Sequence, residues 1–349
     1  MLNWRLPAIV LLALAAAGAS PAHSQAGTRP ARVGVIFNAL PMTQLKPLAP
    51  TATSALAMQD EIIKAGWRPG RNVEILWRSA EGDPSRFASI IDELLRHKVD
   101  VLVVGHNALA IEARKRAPAV PIVMHSGGDV VRAGLVETLA RPGGSVTGVE
   151  AVPGADLFMK QLEVMLELVP GLRRIAWVGP IGFFKPDREW GSVVNPPGKR
   201  NPRWEIPALR ELVVLAYQLE SIDEIEQAVA HAARMKAQAI LVTDCAACYQ
   251  APVQARINAA VEKYRLPAMN GAWLNAVENG TLIGYGIEPD LNFRRAGYYV
   301  GRILNGAKAA ELPVERLDNF KLHLNRRAAR AIGITLPESL LLRADRVFE

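Results

Sequence analysis

VDVLVVGHNAL, residues 99–109, and AQAILVTDCAAC, residues 237–248, decide how this chain folds. Each is an apolar, β-branched run that ends in a small or polar loop and leads into helix-forming sequence, the pattern of a buried parallel strand feeding a helix. Working outward from this pair, the same order of elements occurs twice. ARVGVIF at 31–37 is echoed by RRIAWVG at 173–179, NVEILWRS by LVVLAYQLES, and the amphipathic DPSRFASIIDELLRHK by SIDEIEQAVAHAARMK. VPIVMHSG is matched by LPAMNGA and SVTGVE by TLIGYG. Matched positions, such as 102 and 241, 121 and 267, or 148 and 284, stay 136 to 146 residues apart. The spacing predicts an α/β protein of two similar Rossmann-like lobes, each an open parallel sheet, around a ligand cleft. The first lobe is expected to take residues 30–147 and 285–318, the second 148–284 and 320–349, with crossings near 148 and 284. Ligands of open α/β sheets lie beyond the carboxyl ends of the strands, so two lobes with those ends facing enclose a site between domains.

The amino-terminal MLNWR, followed by LPAIVLLALAAAGA, has the charge, the short apolar run and the small residues of a secretory signal, with cleavage expected after residue 24, near Gln25. Its removal leaves 325 of the 349 residues and lowers the formal net charge from +7 to +6, because only Arg5 is lost. A chain of that size needs two cores. No cysteine lies near the cut, so a soluble periplasmic product without a lipid anchor is expected. The basic groups in EARKRAP and LNRRAAR fall in helix-like sequence and read as solvated faces, which argues against a nucleic-acid partner. The sequence holds no G-x-S-x-G, no phosphate-binding G-x-x-x-x-G-K and no G-x-G-x-x-G after a strand, so neither an enzyme nor a cofactor is expected.

Both cysteines, Cys245 and Cys248, sit in the cleft-facing loop after a strand of the second half, where His106-Asn107 is the counterpart in the first. Three readings stand: a local disulfide, a reduced and polar stretch of the cleft, or an exported thiol oxidoreductase. The last lacks the tryptophan and the Gly-Pro that typical thioredoxins carry around this motif. Zinc is not expected, since two thiolates without a nearby Cys or His partner fall short of four ligands. His106 and His125 belong to no metal-binding spacing and read as polar lining.

AEGDPSRFASIIDELLRHKVDVLVVG, PIVMHSGGDVVRAGLVETLARPGGSVTG and FKLHLNRRAARAIGITLPESLLLRADRVFE resemble the substrate-binding proteins of ABC transporters, of the type I periplasmic-binding-protein fold, in the group that includes aromatic amino acid binders. The resemblance implies a monomer that binds a small, amino-acid-like ligand and delivers it to an inner-membrane ABC permease; a ligand sensor for a membrane signalling protein is the alternative client. It weakens between Gly179 and Ile206, where six prolines from Pro180 to Pro207 predict a long loop instead of a helix.

The expected ligand contacts follow the strands. In the first lobe they are Asn38, His106, Asn107, Ser126 and Asp129. Asp129, after the glycines of HSGGD, is the carboxylate for a ligand amino group or a helix cap; the resemblance implies that it faces the ligand. The helix start at Asn107 is a seat for an acidic group or, again, a plain cap. In the second lobe the contacts are Phe183, which opens the proline-rich segment with Phe184, then Asp244, Cys245, Asn270, Trp273 and Tyr285. Trp273 is a stacking surface for a planar ligand or a core residue.

Overall fold

In the computed structural model, which describes residues 29–38, 40–150, 154–180, 192–193, 212–219, 222–242, 251–271, 274–317 and 320–349, the repeat is realised as two sheets. The first half supplies β1 (Ala31–Phe37), α1 (Thr53–Lys64), β2 (Val73–Ser79), α2 (Phe87–Arg96), β3 (Val101–Val104), α3 (Asn107–Arg116), β4 (Ile122–Gly127) and β5 (Val146–Glu150). The second supplies α4 (Gly154–Leu168), β6 (Arg174–Pro180), β7 (Ser192–Val193), β8 (Val213–Leu219), α5 (Ile225–Arg234), β9 (Ala239–Val242), α6 (Ala251–Lys263), β10 (Ala268–Asn270), α7 (Asn275–Glu278) and β11 (Ile283–Gly286). The tail adds α8 (Pro289–Leu304), β12 (Glu315–Arg316), β13 (Lys321–Asn325), α9 (Arg326–Ile332), α10 (Glu338–Arg343) and β14 (Arg346–Phe348).

The strand orders are β12-β5-β4-β3-β1-β2 and β14-β13-β11-β10-β9-β6-β8-β7. Within them β5-β4-β3-β1-β2 maps onto β11-β10-β9-β6-β8, so the repeat seen in the sequence is a repeat of topology. The first sheet is parallel throughout. The second is not, contrary to expectation: β13 runs antiparallel to β11, and β7 antiparallel to β8. β13 has no choice, because it enters beside the carboxyl end of β11, with Lys321 opposite Gly286, and must run back along it. β7 is a short edge strand inside the proline-rich segment, for which the prolines predict loop alone.

Both sheets are covered on both faces. In β1, Val33, Val35 and Phe37 pack towards α1 and α8, while Ile36 packs with Phe87, Ile90, Ile91 and Leu94 of α2. In β6, Ile175 belongs to the layer with Leu162 and Met165 of α4, and Ala176 and Val178 to the layer of α5 and α6. This double coverage explains why the strands read as continuous apolar runs; all four residues of β3 and of β9 are buried. Two helices pack on a different sheet from the strand they follow. α4 follows β5, a strand of the first sheet, yet packs on the second, and α8 follows β11 yet packs on the first, where Gly297 and Gly301 meet Met58 of α1 and Ala65 just beyond it too closely for a Cβ.

These exchanges orient the lobes. Residues 151–153 join Glu150 to Gly154, a reach of about 14 Å at most, and residues 287–288 join Gly286 to Pro289, about 11 Å. The third crossing, residues 317–320, joins Arg316 to Lys321. Glu150, Gly286 and Arg316 each stand at the carboxyl end of a strand, and Lys321 lies beside Gly286. Connections this short hold the carboxyl ends of the two sheets towards one another.

Candidate functional site

Two residues of β4, His125 and Ser126, stand opposite the single Val149 of β5, because the register slips between Met124, paired with Gly148, and Gly127, paired with Glu150. Gly148 permits the slip: its φ is +119°, and a Cβ there would collide with the backbone of Met124. A bulge of this kind re-aims the end of a strand. Here it turns His125 into the lobe, with its ring centroid 4.1 Å from that of Phe293 and 6.3 Å from that of Phe37, and its Nδ1 3.2 Å from Ser126 Oγ. Burial, with a smaller contribution from the neighbouring His106, pushes the His125 pKa down to about 3. Burial lowers that of His106 as well. Both rings are therefore neutral near pH 7, and this side of the cleft carries no imidazolium.

His106, not Asn107, caps α3: its Nδ1 accepts from Leu109 N at 3.4 Å while its ring packs 5.4 Å from that of Phe87. Leu109 and Ala110 direct their N–H groups to His106. The N–H groups of Asn107 and Ala108 remain at the open end of the helix, where the dipole is positive. Asn107 spends its side chain on the next loop. Its Nδ2 donates to Gly128 O, and Gly128 N donates to its Oδ1 at 3.1 Å. That clamp ties the start of α3 to the loop bearing Asp129. Asp129 is exposed and has a left-handed backbone, φ +44°. Its Oδ1 accepts from Arg132 N at 3.2 Å; Oδ2 has no partner among the described residues. Ser126 Oγ donates to Gly105 O at 3.2 Å. Asn38 follows β1, and its Oδ1 is buried without a partner among the described residues, as are Asn292 Oδ1 on α8 and Trp77 Nε1 on β2. Buried and unpaired, such atoms are costly.

On the second lobe, Asn270 ends β10 and is buried, and the Tyr285 ring stacks on Phe320 at 5.9 Å. Both strand ends are fixed by a residue the sequence reading missed. Gln161 of α4, buried, donates from Nε2 to Gly271 O and, at 3.0 Å, to Tyr285 O. Gln161→Leu keeps the volume but leaves two carbonyls facing apolar surface, and is expected to cost about 1–3 kcal/mol for each group left unpaired. Urea unfolding of the variant reads this; an unchanged midpoint would remove Gln161 from the account. α4 also sets Phe158 on Trp177, rings 4.2 Å apart, as α8 sets Phe293 on Phe37 at 5.4 Å. Phe183, Phe184, Asp244, Cys245, Cys248 and Trp273 lie outside the described residues. Of the expected contacts, then, His106, Asn107, Ser126 and Asp129 gather at the ends of β3 and β4 and the start of α3, Asn38 directly follows β1 of the same sheet, and Asn270 and Tyr285 belong to the other lobe. Glu150, Gln161, Phe158, Trp177 and Phe293 were not foreseen; the matching Phe in ADLF and DLNF was the available signal.

No group of His, Cys, Asp and Glu suited to a metal ion occurs among the described residues. No described helix is long and apolar enough to cross a membrane. A hollow of about 760 Å³ lies at the opposite end of the first sheet, beside the amino ends of β1 and β3, with Trp67, Asp100, Pro121, Ser145 and Ile303 among its lining. It touches none of the loops just described. We assign the site to the carboxyl ends, where the unpaired groups and the helix terminus converge.

A family model for ABC transporter substrate-binding proteins matches residues 54–348. The chain belongs to this family. The substrate-binding protein is similar to a tyrosine-binding protein of Clostridioides difficile (strain R20291), 22% identical over 275 residues that cover 77% of this chain and 73% of the relative. Among solved structures it is similar to an ABC domain in complex with L-Trp from Streptococcus pneumoniae, with a TM-score of 0.73 and 24% identity over 91% of this chain and all of the other. It is also similar to a ligand-free, open substrate-binding protein with adhesive properties from Clostridium difficile, with a TM-score of 0.58 and 20% identity over 91% of this chain and 99% of that one. At these identities the structural likeness establishes the two-lobed fold.

Proposed function

We propose that this substrate-binding protein captures an amino acid with an aromatic side chain between its lobes and delivers it to an ABC permease, working as a monomer in the periplasm after loss of residues 1–24. The observation that carries the reading is the Asn107–Gly128 clamp, which sets two complementary seats side by side. The free N–H groups at the start of α3 suit a carboxylate, and the open oxygen of Asp129 suits an ammonium. An α-amino acid carries both charges on one carbon. The aromatic side chain is supported by the L-Trp of one neighbour and the tyrosine of the other relative. Asn38, His106 and Ser126 line the first lobe, and Asn270 and Tyr285, with Phe183, Asp244, Cys245 and Trp273, the second.

Thermal unfolding of the chain starting at Gln25, with and without L-tryptophan, L-tyrosine and L-phenylalanine, tests this. A ligand at 100 times its Kd adds about 2.7 kcal/mol to stability. Each amino acid is paired with its des-amino analogue, which should shift the transition far less. An unmoved transition with all three amino acids would overturn the reading.

A further inference from the structure

Glu150 joins two parts of the molecule that the ligand reading treats separately. It is the last residue of β5, its side chain is 2% exposed, and the chain leaves the first lobe directly after it. One carboxylate oxygen, Oε2, accepts from Val130 N at 3.0 Å, next to Asp129. The other, Oε1, accepts from Arg316 Nε at 2.7 Å. Arg316 is opposite Glu150 in the β5–β12 register and is the last residue before the third crossing; Leu317 N donates to Glu150 O at 2.9 Å. Two of the three strands that carry the chain between lobes therefore end in one ion pair, whose buried member also holds the Asp129 loop.

The loop needs holding. Asp129 at φ +44° is in a region that non-glycine residues occupy only when their surroundings insist on it. On one side Asn107 clamps Gly128; on the other, Glu150 grips Val130. The second grip depends on the crossing strands. β12 is itself tied to α8 by the ion pair of Glu315 with Arg295, so the Glu150 carboxylate stands between the Asp129 loop and the segments that join the lobes.

We propose that Glu150 is a positioning residue that couples the crossing strands to the Asp129 loop, so that the hinge geometry set by Arg316 governs how the loop presents its carboxylate. The coupling is reciprocal: a ligand that favours the held loop favours the Glu150–Arg316 pairing by the same factor. The assignment rests on the amino-acid reading only for the role of Asp129; the mechanical link does not. A carboxylate that merely satisfied Val130 N would be indifferent to Arg316, whose side chain is 55% exposed and forms its ion pair with Glu150 at the hinge.

The experiment uses the full mature chain with Arg316→Lys, Arg316→Gln and Glu150→Gln. Hydrogen exchange of the peptide covering 127–132, without ligand, should speed up several-fold in Arg316→Gln and less in Arg316→Lys, while β6 and β9 keep their protection. Exchange as slow as in the parent would overturn the coupling. If Arg316→Gln does not fold, Arg316→Lys carries the comparison. Calorimetry with L-tryptophan and L-tyrosine then closes a double-mutant cycle. Arg316→Lys should weaken binding by about tenfold in the parent and by much less in an Asp129→Asn background, because its effect runs through that residue. Equal losses in the two backgrounds would show that Arg316 acts elsewhere and overturn the assignment. A parent that binds neither amino acid refutes the ligand reading alone, and the exchange result still decides the role of Glu150.

Discussion

Below pH 6.5 the parent protein is expected to lose stability against a His125→Leu variant by about 1.4 kcal/mol per pH unit, reaching on the order of 5 kcal/mol near pH 3. The sign follows from where the proton binds. In the unfolded chain His125 takes up a proton near its ordinary value of about 6.5. In the folded chain it does so only near 3, because the ring is buried against Phe293 and Phe37 and an imidazolium there would lose its hydration. Between those values the unfolded state carries one more proton, so acid favours unfolding; the stability is complete above pH 6.5 and drains away as the pH falls towards 3. Carboxylates also lose their pairs in acid. Glu93, whose pKa is lowered chiefly by its hydrogen bond to Arg78, is one, but such losses are common to both proteins and cancel in the difference. Urea titrations of the two at pH 7.5, 6, 5 and 4 measure the gap. Parallel curves would mean that the ring reaches water through the bulge. For the proposed site the consequence is that His125 offers the ligand a neutral imidazole near pH 7.

The strands were legible because they are buried on both faces, which forces unbroken apolar sequence in Val101–Val104 and Ala239–Val242, and the duplication made the order of the strands legible too. What the sequence hid is tertiary. Nothing local in GADLFMKQLEVMLEL says that this helix leaves the sheet it follows, so Gln161 read as one more polar position when it is the buried donor to two strand ends. Glu150 read as the end of a strand, since its two partners lie 20 and 166 residues away. Ser126 reads from the sequence as loop, yet it and His125 both belong to β4, and the bulge that buries the first and half-exposes the second depends on Gly148 of the neighbouring strand. At Asn107 only one of two readings, the plain cap, is displaced. Local propensity suggested a cap, and the cap went to His106 because Asn107 is drawn to the Gly128 backbone, 21 residues on.

Asp129→Asn should leave the melting temperature of the free protein unchanged and weaken binding of an aromatic amino acid by well over tenfold, a loss on the order of 2 to 5 kcal/mol if the ion pair is desolvated when the lobes close. The two halves of this expectation rest on different atoms. For the fold, Asp129 supplies one acceptor, Oδ1, to Arg132 N, and asparagine keeps it; asparagine also tolerates the left-handed backbone at φ +44°. For the ligand, it supplies a negative charge on an oxygen with no other partner among the described residues, and asparagine loses it. The contrast with the des-amino analogues sharpens the test. They carry the carboxylate for the start of α3 but no ammonium, so the parent should bind them weakly and the variant should bind them no worse. Calorimetry on parent and variant, with L-tryptophan and indole-3-propionate as the pair, separates the outcomes. Equal weakening for both compounds would mean that the substitution disturbed the loop, not the charge pair. Undiminished affinity for L-tryptophan would confine Asp129 to its turn and move the ammonium to the unpaired oxygens of Asn38 and Asn292, the remaining buried acceptors at this end of the first lobe.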